Sequence, residues 1–357
     1  MNLYDLGWNH FFFQYFENYT DQNLIPARVT CVQRNLLTIF NETGELKAEL
    51  AGKFLRDTVG RADRPVVGDW VAIKPHPAEE KATIQAILPR KSHFSRKVPG
   101  EHHTVEQIIA ANIDTAFLVV GLDGEFNLRR IERYITLIWD SGATPVVILN
   151  KTDVCPDVEK RIEDVESVAF GIPVHPISAA AGTGVDILKQ YLSQKETVVL
   201  LGSSGVGKST LINQLLNREQ QVVQAVHAKE GEGRHTTTFR ELFFLPSGGA
   251  IIDNPGMREL QLWADETVLQ SSFEDIEAFA EDCKFRDCLH QTEPGCAVLE
   301  ALEDSKLDRK RYQNYLKQRR ELRYLAGKRD SRLRIEEKKQ GKKLSKMIRD
   351  LDKKRNP

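Results

Sequence analysis

The sequence predicts a multidomain α/β protein in which a small five-stranded barrel is followed by a doubly wound sheet, then by a helical segment and a basic tail. Three observations predict it. Between about residues 24 and 92, the short runs ARVTCV, NLLTIF, LKAEL, DWVAIK and ATIQAIL are separated by turn residues such as NETG and VVGD, as strands of a closed barrel are. After residue 110, apolar strands alternate with helical stretches: IDTAFLVVGL, RRIERYITLIWDSG, TPVVILNKTD, TVVLLGSSGVGKS, AIIDNPG. That alternation places helices on both faces of a largely parallel sheet. Beyond WADE at 263–266 the pattern turns helical, and three of the five cysteines crowd into 283–296.

In chain order, residues 1–23 are read as an N-terminal extension. MNLYDLGWNHFFFQYFENYT is aromatic, but Asp5, Asn9, Gln14 and Glu17 interrupt it and no basic region precedes it, so it reads as neither signal peptide nor membrane span. A short amphipathic helix packed on a neighbouring domain is expected, with a cytoplasmic location and no membrane partner. Residues 24–95 form the barrel. The OB fold is the commonest five-stranded candidate, and an SH3-like barrel is the alternative. Residues 96–265 form the α/β domain, 266–325 a helical domain and 326–357 the tail.

The net charge of -1 conceals a division. Residues 306–357 carry 21 Lys and Arg against 7 Asp and Glu, which is +14, and the rest of the chain carries 29 against 44, which is -15. A segment this basic on an acidic body suggests a polyanionic partner, with a solvated mixed-charge helix as the plainer alternative. Five unevenly spread cysteines do not make a disulfide framework.

GSSGVGKS at 202–209 fits G-x-x-x-x-G-K-[ST], follows the strand TVVLL and opens the helix STLINQLL. Gly202, Gly205 and Gly207 let the backbone curl, so that the amides of Ser203, Ser204, Val206 and their neighbours through Thr210 face phosphate oxygens at a helix N-terminus. Lys208 brings charge to the β and γ phosphates, and Ser209 offers a hydroxyl to Mg²⁺. DNPG at 253–256 has the form D-x-x-G: Asp253 is placed to hold Mg²⁺, and the Gly256 amide to sense a γ phosphate. Between the two lies EGRHTTT, in which a threonine, taken as Thr237 with Thr236 and Thr238 as rivals, can reach Mg²⁺ when a triphosphate is bound.

NKTD at 150–153 ends another strand. Asp153 can accept two hydrogen bonds from the N1 and exocyclic amino groups of guanine, which adenine cannot supply. Asn150 supports the pocket and can reach the other base edge, the stem of Lys151 covers the ring, and Thr152 completes the turn. Taken alone, NKTD is also what an Asx turn looks like. ISAAAGTG at 177–184 supplies a companion loop through Ser178 and Ala179, whose amide can approach guanine O6. The set of motifs is that of a GTPase with its last two elements moved to the front, a circular permutation. Cys283, Cys288, His290 and Cys296 form C-x4-C-x-H-x5-C, which fits a closed, structural zinc site.

With this motif order and cysteine spacing, residues 24–320 resemble the family of small ribosomal subunit biogenesis GTPases called RsgA. The resemblance implies an OB-fold barrel, a permuted P-loop GTPase domain and a helical zinc-binding domain. It also implies hydrolysis of GTP to GDP stimulated by the small (30S) ribosomal subunit, through contacts with its 16S rRNA, late in that subunit's maturation. Zn²⁺ and Mg²⁺ are the expected cofactors, and a monomer the expected state. The chain departs from the family at Ser203, where Gln is frequent. Met257 follows D-x-x-G where many GTPases place a water-orienting Gln, and the resemblance implies that His235 serves catalysis beside Lys208 and Thr237. Two other readings stand beside it: a nucleotide-controlled RNA-binding module with incidental hydrolysis, and an ATP-using P-loop enzyme in which NKTD is accidental.

Overall fold

The computed structural model describes residues 1–33, 36–52, 64–76, 79–97, 106–124, 126–193, 195–216, 240–245, 248–253, 266–286 and 288–323. The chain divides into two compact units, 1–261 and 262–357.

The first unit begins with helix α1 (His10–Thr20), whose buried Phe12 and Phe16 lie on one face, as a four-residue spacing dictates. With Trp8 they close over Trp70, and the Trp8 and Trp70 rings meet edge to face at 4.7 Å. The expected amphipathic helix is thus present, and it covers the outside of the barrel.

The barrel strands are β1 (Ile25–Gln33), β2 (Leu36–Asn41), β3 (Gly44–Leu50), β4 (Trp70–His76) and β5 (Lys81–Ile87). β1, β2 and β3 form an antiparallel meander, β3 pairs parallel with β5, β5 antiparallel with β4, and β4 returns to β1. That closure is the OB connectivity, with no SH3-like rearrangement. Alternate residues, including Ala27, Val29, Ile39, Ala48, Ile73 and Ile84, fill the interior. The first turn follows its sequence: Asn41 Oδ1 accepts the Thr43 amide at 2.9 Å, and Gly44 takes φ 122°. A hairpin of β6 (His93–Lys97) and β7 (Glu106–Ala111) follows.

The α/β domain is built on β8 (Thr115–Gly121), β9 (Thr144–Asn150), β10 (Val174–Pro176), β11 (Thr197–Leu201), β12 (Glu241–Phe244) and β13 (Ala250–Asp253). Their order is β10-β9-β8-β11-β13-β12, all parallel except β12. β8 and β11 are buried along their whole length, as strands covered on both faces must be. Helix α2 (Leu128–Ser141) starts at Asn127, whose side chain accepts the Arg130 amide, and stops at Gly142 with φ 83°. α3 (Val158–Glu166) is capped by Asp157, and α4 (Lys208–Leu215) follows β11.

Barrel and sheet are joined in a way the sequence did not announce. β12 would be an open edge, but β1 pairs with it at Cys31 and Glu241, making one ladder of eleven strands. A register shift between Val29 and Cys31 bends β1, so that Ile25–Arg28 pair with β4 and Cys31 reaches β12. Beside the bend, Arg28 is 1% exposed. Its guanidinium donates to the Leu6 carbonyl, to Asn112 O at 3.3 Å and to Thr197 Oγ1 at 2.6 Å. Burial lowers its pKa to about 10, which leaves it charged at neutral pH.

The second unit contains α5 (Glu266–Ser272), α6 (Glu274–Ala280), α7 (Ala297–Glu303) and a helical run over 309–323. Leu269, Phe273, Ile276, Val298, Ala301 and Tyr315 are buried in it. Arg311 pairs with both carboxylate oxygens of Asp275 at 2.6 Å and stacks over Phe273 at 4.8 Å.

Candidate nucleotide site and candidate metal centre

In a doubly wound sheet, ligands sit beyond the carboxyl ends of the strands. β8, β9 and β11 run parallel and end at Gly121, Asn150 and Leu201, so the segments that follow them meet at one edge. Permuting the chain leaves this convergence intact, because it depends on strand order and not on which strand is made first.

Asn150, 2% exposed, is the junction. Its Nδ2 donates to the Val206 carbonyl of the glycine-rich loop at 2.8 Å, and its Oδ1 accepts the Ala179 amide of the companion loop at 2.9 Å. One side chain therefore fastens three motifs that lie far apart in sequence. Gly207 must be glycine for this to work: it takes φ 95°, and a Cβ there would stand 2.3 Å from Asn150 Nδ2. Gly202 faces a similar limit, since its Cβ would stand 2.2 Å from the Val119 carbonyl.

Lys151 adopts φ 70° and opens a short 3-10 turn, Thr152–Val154, that turns the chain away from β9. Its ammonium pairs with Asp123, two residues beyond β8. Thr152 N donates to Ile177 O at 3.2 Å. Asp153 is exposed; Ser178 Oγ donates to its Oδ1 at 2.5 Å, and Oδ2 has no protein partner among the described residues. A carboxylate held on one side and open on the other can receive paired N–H donors of a base.

Within the glycine-rich loop, Lys208 Nζ donates to the carbonyls of Gly202 at 2.9 Å and Ser203 at 2.6 Å. Ser204, Gly205, Ser209 and Thr210 complete the loop and the first turn of α4, with Ser204, Gly205, Ser209 and Thr210 exposed. Asp253 ends β13. Burial raises the pKa of its carboxyl, and the nearby Lys208 charge offsets only part of that rise. His235, Thr236, Thr237, Thr238, Gly256 and Met257 lie outside the described residues.

Sequence reasoning passed over two further residues here. Asp123 holds Lys151, and Arg130, in the first turn of α2, donates from Nη1 to Ser203 Oγ at 2.8 Å. The signal was present in LDGEFNLRR, a charged stretch at the end of a buried strand, where an α/β sheet puts its chemistry.

In the second unit, the ligand atoms of Cys283, Cys288, His290 and Cys296 all lie within 4.8 Å of one another. Cys283 and Cys296 Sγ are 3.8 Å apart, and each stands 3.5 Å from His290 Nδ1. A tetrahedral ion with ordinary Zn–S and Zn–N bonds requires edges of about 3.8 and 3.6 Å, so the donor set fits such an ion. Burial first, then the Cys288 and Cys283 neighbours, push the Cys296 thiol up to about 12. The loop is held by local bonds. His290 takes φ 59° while Tyr312 donates to its carbonyl, and Glu293 accepts the amides of Leu289, Gln291 and Thr292.

A sequence profile of the RsgA GTPase family matches residues 87–263. The chain is 46% identical over 329 residues to the small ribosomal subunit biogenesis GTPase RsgA of Syntrophotalea carbinolica, covering 90% of each chain. It is 44% identical over 354 residues to the protein of that name from Opitutus terrae, covering 96% of each. Among solved structures, YjeQ from Thermotoga maritima aligns with a TM-score of 0.62 at 28% identity, covering 84% of this chain and 98% of that one. The circularly permuted GTPase YloQ shares the fold, with a TM-score of 0.61 at 23% identity and coverage of 84% and 96%.

Proposed function

The chain belongs to the RsgA GTPase family, and from that premise we propose that it hydrolyses GTP to GDP on the small (30S) ribosomal subunit, which stimulates the reaction during its late maturation. The observation that carries the reading is the Asn150 junction, which ties the guanine-reading turn, the companion loop and the phosphate loop into one pocket.

In this pocket Asp153 accepts from the guanine edge, Ser178 steadies its carboxylate, and Lys151 covers the base. The amides from Gly202 to Thr210 cradle the phosphates. Lys208, which folds onto loop carbonyls here, turns to the β and γ phosphates. Ser209, Thr237 and Asp253 would hold Mg²⁺, which when bound neutralises charge on the phosphates. Gly256 senses the γ phosphate and His235 positions the attacking water, since Met257 cannot. Cys283, Cys288, His290 and Cys296 would hold one Zn²⁺, which would serve a structural role with all four ligands from the protein.

RNA contact falls to the barrel (24–95), the helical domain (266–325) and the basic tail (326–357), and catalysis to the GTPase domain (96–265). Lys and Arg of the tail grip 16S rRNA phosphates and position the particle without reading sequence. The protein acts as a cytoplasmic monomer without a membrane partner.

Met257 favours one second reading, a nucleotide-controlled RNA-binding module whose turnover is incidental. Steady-state hydrolysis of GTP and ATP, alone and with purified small or large subunits, separates the two. Stimulation by small subunits only, and for GTP only, is expected. Turnover unchanged by either subunit would favour the binding module.

A further inference from the structure

We infer that Arg130 is the second cation of the phosphate loop, contacting the terminal phosphate of a bound nucleoside triphosphate and stabilising the charge that develops there during hydrolysis. Ser203 carries the observation. Its backbone carbonyl receives the Lys208 ammonium at 2.6 Å, and its side-chain hydroxyl receives the Arg130 guanidinium at 2.8 Å. Two cations therefore converge on a single residue of a loop shaped to surround an anion.

Arg130 is delivered there by the fold. β8 ends beside the loop, Asn127 caps α2 by accepting the Arg130 amide, and the cap fixes where the first helical turn begins. The side chain is exposed on the rim and Ser203 is half-buried, so the guanidinium is held at the mouth of the loop and not locked within it. Lys208 donates to loop carbonyls and Arg130 to the Ser203 hydroxyl, and charged phosphate oxygens are stronger acceptors than either of these groups. Arg in particular presents a planar fork that matches phosphate geometry, which Lys208 cannot do. A cation supplied from within the chain also suits a protein with Met257 where a water-orienting Gln is frequent, because charge stabilisation and water positioning are separable contributions.

This inference rests on the nucleotide reading of the site, and the experiment separates the two. Full-length protein with Arg130→Ala and Arg130→Lys is titrated with GDP and with a GTP analogue whose β–γ bridge is an imido group, and turnover is measured with and without small subunits. With Arg130→Ala, GDP affinity should be unchanged, while analogue affinity and turnover each fall about tenfold or more, the loss expected for a charge-assisted hydrogen bond. Arg130→Lys should recover part of both. Equal losses for GDP and the analogue would make Arg130 a prop for Ser203 and overturn the inference, as would no loss for either. Asp153→Asn is run in parallel: an unaltered preference for GTP over ATP there would overturn the nucleotide reading itself, whatever Arg130 does.

Discussion

The nucleotide end of the first unit and the Cys–His loop of the second solve opposite problems. In the first, a packed sheet holds the site: Asn150 sits at the end of a strand buried over six of its seven residues, and the motifs are bolted to that frame. In the second, the unit is small and the ligands lie between short helices, with Cys283 and Cys288 before α7 and Cys296 at its start. There an ion held by the cluster would supply cohesion that a core this small cannot. One site is supported by its fold; the other supports it.

The largest expected effect breaks this comparison most directly. Stripping metal with a chelator, or Cys283→Ser, should unfold the second unit, since structural zinc contributes on the order of 10 kcal/mol in small modules. Hydrogen exchange over 266–323 should rise to unprotected rates while GDP binding persists; protection retained in the stripped protein would show that the helices hold themselves. Next comes Asn150→Ala, which leaves a carbonyl and an amide unpaired and should cost about 2–4 kcal/mol. A lowered Tm of the first unit together with weakened GDP binding is the expected outcome, and an unchanged affinity would mean that the loops are held elsewhere. Asp153→Asn should leave stability alone and reduce the preference for GTP over ATP by about tenfold, read as a ratio of Kd values. The smallest effect is at Glu293, whose carboxyl is held down at about 2 by the amides of Gln291, Thr292, its own backbone and Leu289. A lowered pKa gives stability that is full above the ordinary carboxylate range and fades as pH falls towards 2. Glu293→Gln should therefore lower the stability of the second unit at pH 7, with the difference from the parent protein shrinking as pH falls from about 4.5 towards 2.

Much of this was legible because strand ends concentrate function. GSSGVGKS, NKTD, ISAAAG and the Asp253 strand were readable as motifs, and the five barrel strands and the cysteine cluster appear where their patterns place them. The join of β1 to β12 was not readable. Cys31 and Glu241 are over two hundred residues apart, and strand pairing leaves no mark in either segment beyond ordinary β propensity. Arg28 was missed because a charged residue inside ARVTCV looks like the polar half of an alternating strand, whereas its charge is buried among carbonyls. Asp123 and Arg130 were missed because they belong to no motif; only the parallel pairing of β8 with β9 and β11 brings them to the pocket.

The bend in β1 bears on the order in which the molecule assembles as it is synthesised. Residues 25–87 contain every strand of the barrel, so the barrel closes as soon as β5 has emerged, and the parallel group β8, β9 and β10 also precedes β11 in the chain. The Cys31 end of β1 must wait for β12, some two hundred residues later. Until then it presents an unpaired half-edge to the crowded surroundings of a nascent chain. The seam thus closes only late, when β12 and then β13 have joined the sheet, and a slowly translated stretch between β11 and β12 would prolong that exposure.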